Sequence, residues 1–118
     1  MGHLGTLLVP QATAFHGEAR DWREAIRAAG RLLEEAGAST ADYTEQMVRS
    51  VEDNGPYIVL APGFALAHAR PSDSVRHTAL AWLRLEQPLR FGHTTNDPVR
   101  VVAALAATDS SAHLAAMK

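Results

Sequence analysis

The sequence predicts an α/β fold in a single domain over residues 1–118, with a mixed β-sheet of about five strands flanked by helices on both faces. Three observations lead to this class. Two amphipathic helical patterns come first, short apolar segments bounded by glycine and proline follow, and a helix start is indicated near the end. The 118 residues fit one domain, and a hydrophobic fraction of 47% is sufficient for its core.

The clearest helix is predicted from Gly17 to Ala38. Gly37 is a natural stop, because glycine readily takes the left-handed conformation that ends helices. Gly30 lies inside the pattern, where it costs about 1 kcal/mol relative to alanine, so we expect a neighbouring element to pack closely against it. Apolar residues at three- and four-residue spacing form one face of this helix: Trp22, Ala25, Ile26, Ala29, Leu32, Leu33 and Ala36.

A second helix is predicted next, with Ser39 or Thr40 as its N-cap and Asn54-Gly55 at its end. Glu45 lies in its early turns, where a carboxylate suits the helix dipole. One stripe of this helix is expected to be buried: Tyr43, Met47, Val48 and Val51.

The remaining segments favour strands. Two short apolar runs are separated by Ala61-Pro62-Gly63, which predicts a bend between them. Val99 to Ala106 is ambiguous, since its valines favour a strand and its alanines a helix, and we interpret it as a strand. The polar cluster before Ser111 predicts a helix opening there. The predicted strands in chain order are Gln11–Phe15, Tyr57–Leu60, Phe64–Leu66, His77–Leu85, Leu89–Phe91 and Val99–Ala106.

Composition argues against several classes of function. The formal charge of −2 gives no basic surface, so nucleic acid is not an expected partner. The chain has no cysteine, hence no disulfide, no thiolate chemistry and no cysteine-ligated zinc. No signal peptide is recognisable, and no window approaches the roughly 20 apolar residues that span a bilayer. These features predict a cytoplasmic protein that is not inserted in the membrane.

The six histidines are the candidates for chemistry. His68 ends an apolar run at the predicted margin of the sheet, where an imidazole is held rigidly and is still reached by a partner. On its pattern alone, a structural histidine is an equally good interpretation. His113 falls in the first turn of the predicted last helix, where a surface residue is the simpler interpretation. Exposure or incidental hydrogen bonding is expected for the other four: His3, His16, His77 and His93.

His68 and His113 together would suit phosphoryl transfer. A neutral imidazole nitrogen can accept a phosphoryl group when donors surround the arriving oxygens. A helix N-terminus supplies backbone N–H groups, and a second imidazole adds a hydrogen bond to a phosphate oxygen. We therefore hypothesise that the two meet at one edge of the sheet. Zinc ligation, a Ser-His-Asp hydrolase and a Gly-rich phosphate loop are disfavoured, because their local motifs are absent.

The segment around His68 carries the most specific pattern, GPYIV at residues 55–59 followed by PGFALAHARP at residues 62–71. Further pieces occur in order along the chain: Asp21–Ile26 with Gly30 and Leu33, Tyr43 with Met47, Phe91-Gly92 with Asp97–Val99, and Ala106 and Asp109 with His113-Leu114. As an ordered set over residues 17–115, they resemble the enzyme IIA components of the bacterial sugar phosphotransferase system, of the mannitol/fructose type. The ascorbate-type enzyme IIA is the most similar branch.

The resemblance implies a phosphoryl relay. The carrier HPr would give its phosphoryl group to His68, with His113 orienting or stabilising that group. The protein would then pass it to a cysteine of the matching enzyme IIB, for uptake of ascorbate or a related sugar. HPr and enzyme IIB would be its partners, with an indirect link to the membrane permease component, and a homodimer is left open. No metal and no organic cofactor would be needed, because the transfer depends on positioning and charge.

Three features depart from the family pattern. The usual proline before the acceptor histidine is Ala67 here, which softens the turn. An arginine on the second helix binds phosphate in some relatives, but Arg49 falls one position from that match. For Arg49, phosphate binding and a solvated charge on the helix are equally open; for Arg70, phosphate binding and capping of the turn are equally open. Relatives run further at the C-terminus, so this chain is expected to lack the family's last segment.

Two other functions stay open on the sequence. The first is a regulatory enzyme IIA-like domain, in which the phosphohistidine is a signal; the lack of a DNA-binding segment favours the transport role over it. The second is a degenerate binding domain that is not phosphorylated, which Ala67 and the missing last segment make conceivable.

Overall fold

The computed structural model describes residues 11–17, 19–70 and 74–108, with side chains from residue 19 onward. The helix predicted near Ser111, together with His113 and His3, lies outside the described residues, as does the side chain of His16. The elements in chain order are β1 (Gln11–Gly17), α1 (Trp22–Glu35), α2 (Ala41–Asn54), β2 (Val59–Ala61), β3 (Phe64–Ala67), β4 (Ala79–Leu89) and β5 (Val99–Ala106).

The described strands form one five-stranded sheet in the order β1-β4-β5-β3-β2. The sheet is mixed: β4 is antiparallel to β5 and β2 to β3, whereas β1 runs parallel to β4 and β3 parallel to β5. The predicted α/β class with a mixed sheet is therefore confirmed. Because Ala67 pairs with Ala104 in the parallel β3–β5 ladder, these two strands end at the same edge of the sheet.

Both described helices lie on one side of the sheet and share its main core. The strand residues that face them are mostly small, so the helices approach the sheet closely. These small residues are Ala65, Ala67, Ala79, Ala81, Ala104 and Ala106. On the opposite face, a second buried cluster comprises Leu66, Leu80, Ala103 and Leu105, with Phe64 and Trp82 packed against it.

The first helix begins later than predicted. Gly17 belongs to β1, and α1 starts at Trp22, so the prediction of a helix from Gly17 is wrong at this end. Asp21 sets the start, because its carboxylate accepts a hydrogen bond of 2.9 Å from the backbone N–H of Glu24. The stop is confirmed: Gly37 has φ 77°, and the N–H of Ala38 donates to the carbonyl oxygen of Leu33.

The second helix has the predicted extent and buried stripe. Its N-cap is Thr40, and it ends at Asn54 with Gly55 at φ 82°. The side chain of Thr40 makes no capping bond within the described part of the chain; its hydroxyl lies 3.4 Å from the carbonyl oxygen of Ser74. All four residues of the predicted stripe are buried: Tyr43, Met47, Val48 and Val51.

The strand predictions hold with two corrections. The strand predicted at Tyr57–Leu60 begins late, because Tyr57 and Ile58 lie in a turn and β2 starts at Val59. The bend at Pro62-Gly63 joins β2 and β3 as an antiparallel hairpin, with Gly63 at φ 76°. The separate strand predicted at Leu89–Phe91 is wrong, because β4 continues to Leu89 and pairs there with Val99. A register irregularity after Arg84 lets one long strand cover both predicted segments.

Asp97 organises the loop between β4 and β5. Its carboxylate accepts hydrogen bonds of 2.8–3.1 Å from the backbone N–H groups of Phe91, Gly92 and His93. The neighbouring Asn96 donates from its side chain to the carbonyl oxygen of Val59 and accepts at its own carbonyl from the N–H of Gly63. The loop is therefore hydrogen-bonded to the β2–β3 hairpin near its turn, at the opposite end of β3 from His68.

Gly30 is the closest point of approach between the two helices. A methyl group added there would lie 2.6 Å from both Oγ1 and Cγ2 of Thr44. Thr44 is buried and its hydroxyl donates to a carboxylate oxygen of Glu34 at 2.6 Å, so it has no room to move aside. The expectation of close packing at Gly30 is confirmed.

Gly30→Ala is therefore expected to destabilise the protein, although alanine is the better helix former. The steric conflict should outweigh the propensity gain and lower the free energy of unfolding by about 1–3 kcal/mol. Urea unfolding followed by circular dichroism would measure this. The double variant with Thr44→Ala should be less destabilised than the sum of the two single variants; strict additivity would contradict the contact.

Candidate functional site

His68 directly follows the last residue of β3. The strand that carries it consists of small and apolar residues, and the turn at Gly63 sends it back along β2 into the sheet. With 9% of its surface exposed, His68 is buried where β3 ends at the edge of the sheet. The prediction that the histidine lies at the margin of the sheet is thus matched, with more burial than the sequence indicated.

The Nδ1 atom of His68 lies 2.8 Å from the carbonyl oxygen of Leu66. A carbonyl oxygen only accepts hydrogen bonds, so Nδ1 carries the proton. In the neutral ring the lone pair is then on Nε2. The backbone therefore selects the tautomer in which Nε2 is the nucleophilic nitrogen.

The imidazole of His68 also meets an aromatic ring. The centroids of Tyr57 and His68 are 5.4 Å apart, with planes at 88°, an edge-to-face contact. The hydroxyl of Tyr57 shares a 2.6 Å hydrogen bond with the hydroxyl of Ser50 near the end of α2. The ring that touches the histidine is thus tied to the second helix.

The hydroxyl of Tyr43, on α2, lies beside the backbone that follows His68. It accepts a hydrogen bond of 3.1 Å from the N–H of Ala69 and donates its single proton to the carbonyl oxygen of Leu105 at 2.6 Å. This joins the residue after His68 to the end of β5. Burial raises the pKa of Tyr43 to about 12, although its hydrogen bond to the Ala69 backbone offsets part of this effect.

The edge of the sheet at His68 is also where β5 ends. Since β3 and β5 are parallel neighbours, the chain leaves both strands on the same side. Thr108, just after β5, is held there by a backbone hydrogen bond to the hydroxyl of Thr78. His113 follows five residues later, outside the described part, so its predicted meeting with His68 stays a prediction.

The two candidate arginines are exposed. Arg49 lies on α2 next to Ser50, and its charge helps to lower the pKa of Glu45, after the larger effect of a hydrogen bond from Arg27. Arg70 follows His68 by two residues. Phosphate binding by Arg49 and by Arg70 therefore stays a prediction.

The other described histidines lie elsewhere. His93 is in the loop between β4 and β5, where its Nδ1 accepts from the N–H groups of Thr95 and Asn96. His77 precedes β4, and its Nε2 is buried with no hydrogen-bond partner among the described residues. The described residues contain no group of three potential metal ligands and no helix capable of crossing a membrane.

The sequence interpretation missed two residues of this site. Tyr43 was predicted only as part of a buried stripe, yet a buried phenol needs a hydrogen-bond partner, and that requirement was a usable signal. Tyr57 was counted as the start of an apolar run. Its exposure next to the histidine could not be read from the pattern, because it depends on where the hairpin turns.

The family described as "Phosphoenolpyruvate-dependent sugar phosphotransferase system, EIIA 2" matches residues 6–118. The chain belongs to this family of α/β phosphotransferase-system proteins. It is 40% identical over 96 residues to the "Ascorbate-specific PTS system EIIA component" of Shigella boydii, and 38% identical over 96 residues to that of Escherichia coli K12. Both matches cover 81% of this chain, which spans 62% of the length of each relative.

Solved structures show the same fold. The mannitol-specific cryptic phosphotransferase enzyme IIA CmtB of E. coli has a TM-score of 0.80 and 30% identity, over 98% of this chain and 78% of that protein. The complex of enzyme IIA and phosphorylated enzyme IIB for mannitol, also from E. coli, matches with a TM-score of 0.75 at 24% identity. That match covers 87% of this chain and 72% of the other, and it supports the fold alone.

Tyr43→Phe tests the hydroxyl that lies beside the backbone after His68. The variant leaves the buried N–H of Ala69 without this acceptor, so the free energy of unfolding should fall by about 1–3 kcal/mol. Because folding raises the pKa of Tyr43, its hydroxyl contributes fully to the free energy of unfolding below about pH 10. This contribution is lost as the pH rises towards about 12.

Chemical unfolding of both proteins between neutral pH and pH 12 would measure this. The stability gap between wild type and variant should shrink over that alkaline range, while titrations common to both proteins cancel. A gap that is constant with pH would contradict the assignment.

Proposed function

We propose that the protein is a histidine phosphocarrier of a sugar phosphotransferase system. The observation that carries the proposal is the hydrogen bond between Nδ1 of His68 and the carbonyl oxygen of Leu66, which leaves the lone pair of the neutral ring on Nε2. Family membership supplies the reaction class, and the fixed tautomer supplies a nucleophile suited to it.

The proposed transfer has two displacements. Nε2 of His68 attacks the phosphorus of phosphohistidine on HPr; the new N–P bond forms, and the donor's N–P bond breaks with its electron pair returning to the donor ring. In the second step, a cysteine thiolate of enzyme IIB attacks the phosphorus, and the electron pair of the N–P bond returns to Nε2. The proton on Nδ1 stays in place throughout, and the Leu66 carbonyl dipole stabilises the charge that the ring acquires.

Enzyme IIB is the proposed acceptor because a mannitol enzyme IIA of this fold forms a complex with phosphorylated enzyme IIB. Ascorbate, or a related sugar, is the proposed transported substrate because the curated relatives are named for ascorbate. A cytoplasmic location follows from this role. The proposed step requires no metal or organic cofactor, since positioning and charge stabilisation suffice for phosphoryl transfer.

His113 is proposed to stabilise the transferred phosphoryl group. The parallel ends of β3 and β5 support this, because they direct the chain after both strands to one edge of the sheet. Phosphate binding by Arg70 is supported by its exposed position two residues after His68. Phosphate binding by Arg49 is supported by its place beside Ser50 on α2. The regulatory and the non-phosphorylated alternatives predict different outcomes in the labelling experiments below.

His68→Ala should abolish phosphorylation with little loss of fold. The measurement is transfer of labelled phosphate from phosphoenolpyruvate through enzyme I and HPr, with acid-labile, base-stable label expected on the wild type. His93→Gln is the matched control, since His93 lies in the loop at the opposite end of β5 and should leave labelling intact.

Equal labelling of the His68→Ala protein would overturn the assignment of the acceptor. A folded wild type that takes no label would favour the non-phosphorylated binding domain. Onward transfer to an enzyme IIB cysteine separates the transport role from the regulatory one, which requires labelling alone.

His113→Ala should slow the transfer more than it reduces the final amount of label. A residue that stabilises the phosphoryl group lowers the barrier in both directions, and its loss is expected to cost on the order of tenfold or more in rate. Rapid-quench kinetics with phospho-HPr would measure the rate, and the endpoint would measure the capacity. An unchanged rate would exclude the role.

A further inference from the structure

Tyr57 is exposed over 42% of its surface, and only Leu60 among the large hydrophobic residues of the described part is exposed to a similar degree. An exposed aromatic side chain ordinarily samples several rotamers. Tyr57 is held at both ends instead: its backbone N–H donates to the carbonyl oxygen of Gly55 at 2.9 Å, and its hydroxyl is bonded to Ser50. The ring is therefore fixed where it meets His68.

Two contacts of the His68 imidazole differ in kind. The bond from Nδ1 to the carbonyl oxygen of Leu66 restrains rotation of the ring about the Cβ–Cγ bond, but a single hydrogen bond still allows the ring to librate. The perpendicular ring of Tyr57, at 5.4 Å between centroids, opposes this libration. Together the two contacts define both the tautomer and the plane of the imidazole.

We propose that Tyr57, anchored by Ser50, is a positioning residue that sets the orientation of the His68 ring for phosphoryl transfer. The inference rests on the proposed function. In-line displacement requires the Nε2 lone pair to point along the bond that forms to phosphorus, and small errors in such alignment slow the reaction strongly. Tyr57 acts through the His68 ring.

Leu60 provides a matched control. It is 50% exposed and lies on β2, three residues after Tyr57, but makes no ring contact with His68. A loss of apolar surface for a docking partner would affect both residues, whereas a loss of ring orientation would affect Tyr57 alone. The two variants thus separate partner binding from positioning.

The kinetic test measures phosphorylation of the protein by phospho-HPr. Tyr57→Leu should lower kcat about tenfold or more with little change in KM, because a misaligned nucleophile binds its partner normally but reacts slowly. Leu60→Ala should change KM at most. A Tyr57→Leu protein with wild-type kcat, or with a change in KM alone, would overturn the proposal.

The anchor is tested by Ser50→Ala and Tyr57→Phe. Each removes the same hydrogen bond while keeping an aromatic ring beside His68, so each should cause a smaller and similar loss of kcat. The double variant should lose no more than either single one, since groups in one bond are not additive. Additive losses would show that Ser50 does not act through Tyr57.

Nitrogen NMR of the His68 ring gives a second readout that needs no phosphoryl donor. In the wild type, one tautomer with slow solvent exchange of the Nδ1 proton is expected; in Tyr57→Leu, exchange should accelerate, because a more mobile ring breaks its bond to the Leu66 carbonyl more often, while the same tautomer remains the major form. Unchanged spectra in that variant would overturn the positioning role. If the wild type shows the ordered ring but accepts no phosphate, the proposed function fails while the spectra still decide the role of Tyr57.

Discussion

The geometry around His68 depends on one buried hydroxyl. Tyr43 reaches from α2 to the junction of β3 and β5, where it accepts from the N–H of Ala69 and donates to the carbonyl oxygen of Leu105. Two parallel strands that end side by side would otherwise leave backbone groups unpaired just beyond their last ladder bonds, which is costly in a buried setting. Because the hydroxyl supplies these bonds, the N–H of Ala69, directly after His68, is joined to the end of β5. The backbone is thus hydrogen-bonded on both sides of His68.

Much of the fold could be predicted because local signals and the tertiary structure agree. The stop at Gly37, the turn at Gly63 and the buried stripe of α2 follow from glycine conformation or apolar periodicity, whereas the strand at β5 was favoured by its valines. The errors occurred where a side chain or a register shift sets the boundary. The carboxylate of Asp21 starts α1 later than periodicity indicated, and an irregularity within β4 merges two apparent strands. Strand order could not be predicted, since it depends on contacts between distant segments.

For the site, the pattern identified the acceptor candidate but not its support. The short apolar run before His68 and the Pro-Gly turn located the histidine at the end of a strand, as found. Ala67 is a paired and fully buried strand residue, so the departure from the family's proline coincides with a strand that continues to the residue before the histidine. The ring contact of Tyr57 and the hydrogen bonds of Tyr43 join residues up to 62 positions apart, and no local pattern encodes them. The tautomer depends on a bond to Leu66, two residues before His68, which apolar patterning does not reveal. The structure explains why Phe91-Gly92 and Asp97 occur together in the sequence pattern: the carboxylate of Asp97 accepts hydrogen bonds from the N–H groups of Phe91 and Gly92.

The sheet face under the helices is built mainly from alanine, and this has a consequence for how the protein tolerates change. An alanine side chain cannot rearrange to make room for a larger neighbour. Any larger residue at Ala65, Ala81 or Ala104 would therefore push the two helices together away from the sheet. One of them, α2, carries both Tyr43 and Ser50. A larger residue at these alanines would therefore displace the helix whose contacts with Ala69 and Tyr57 support the His68 imidazole.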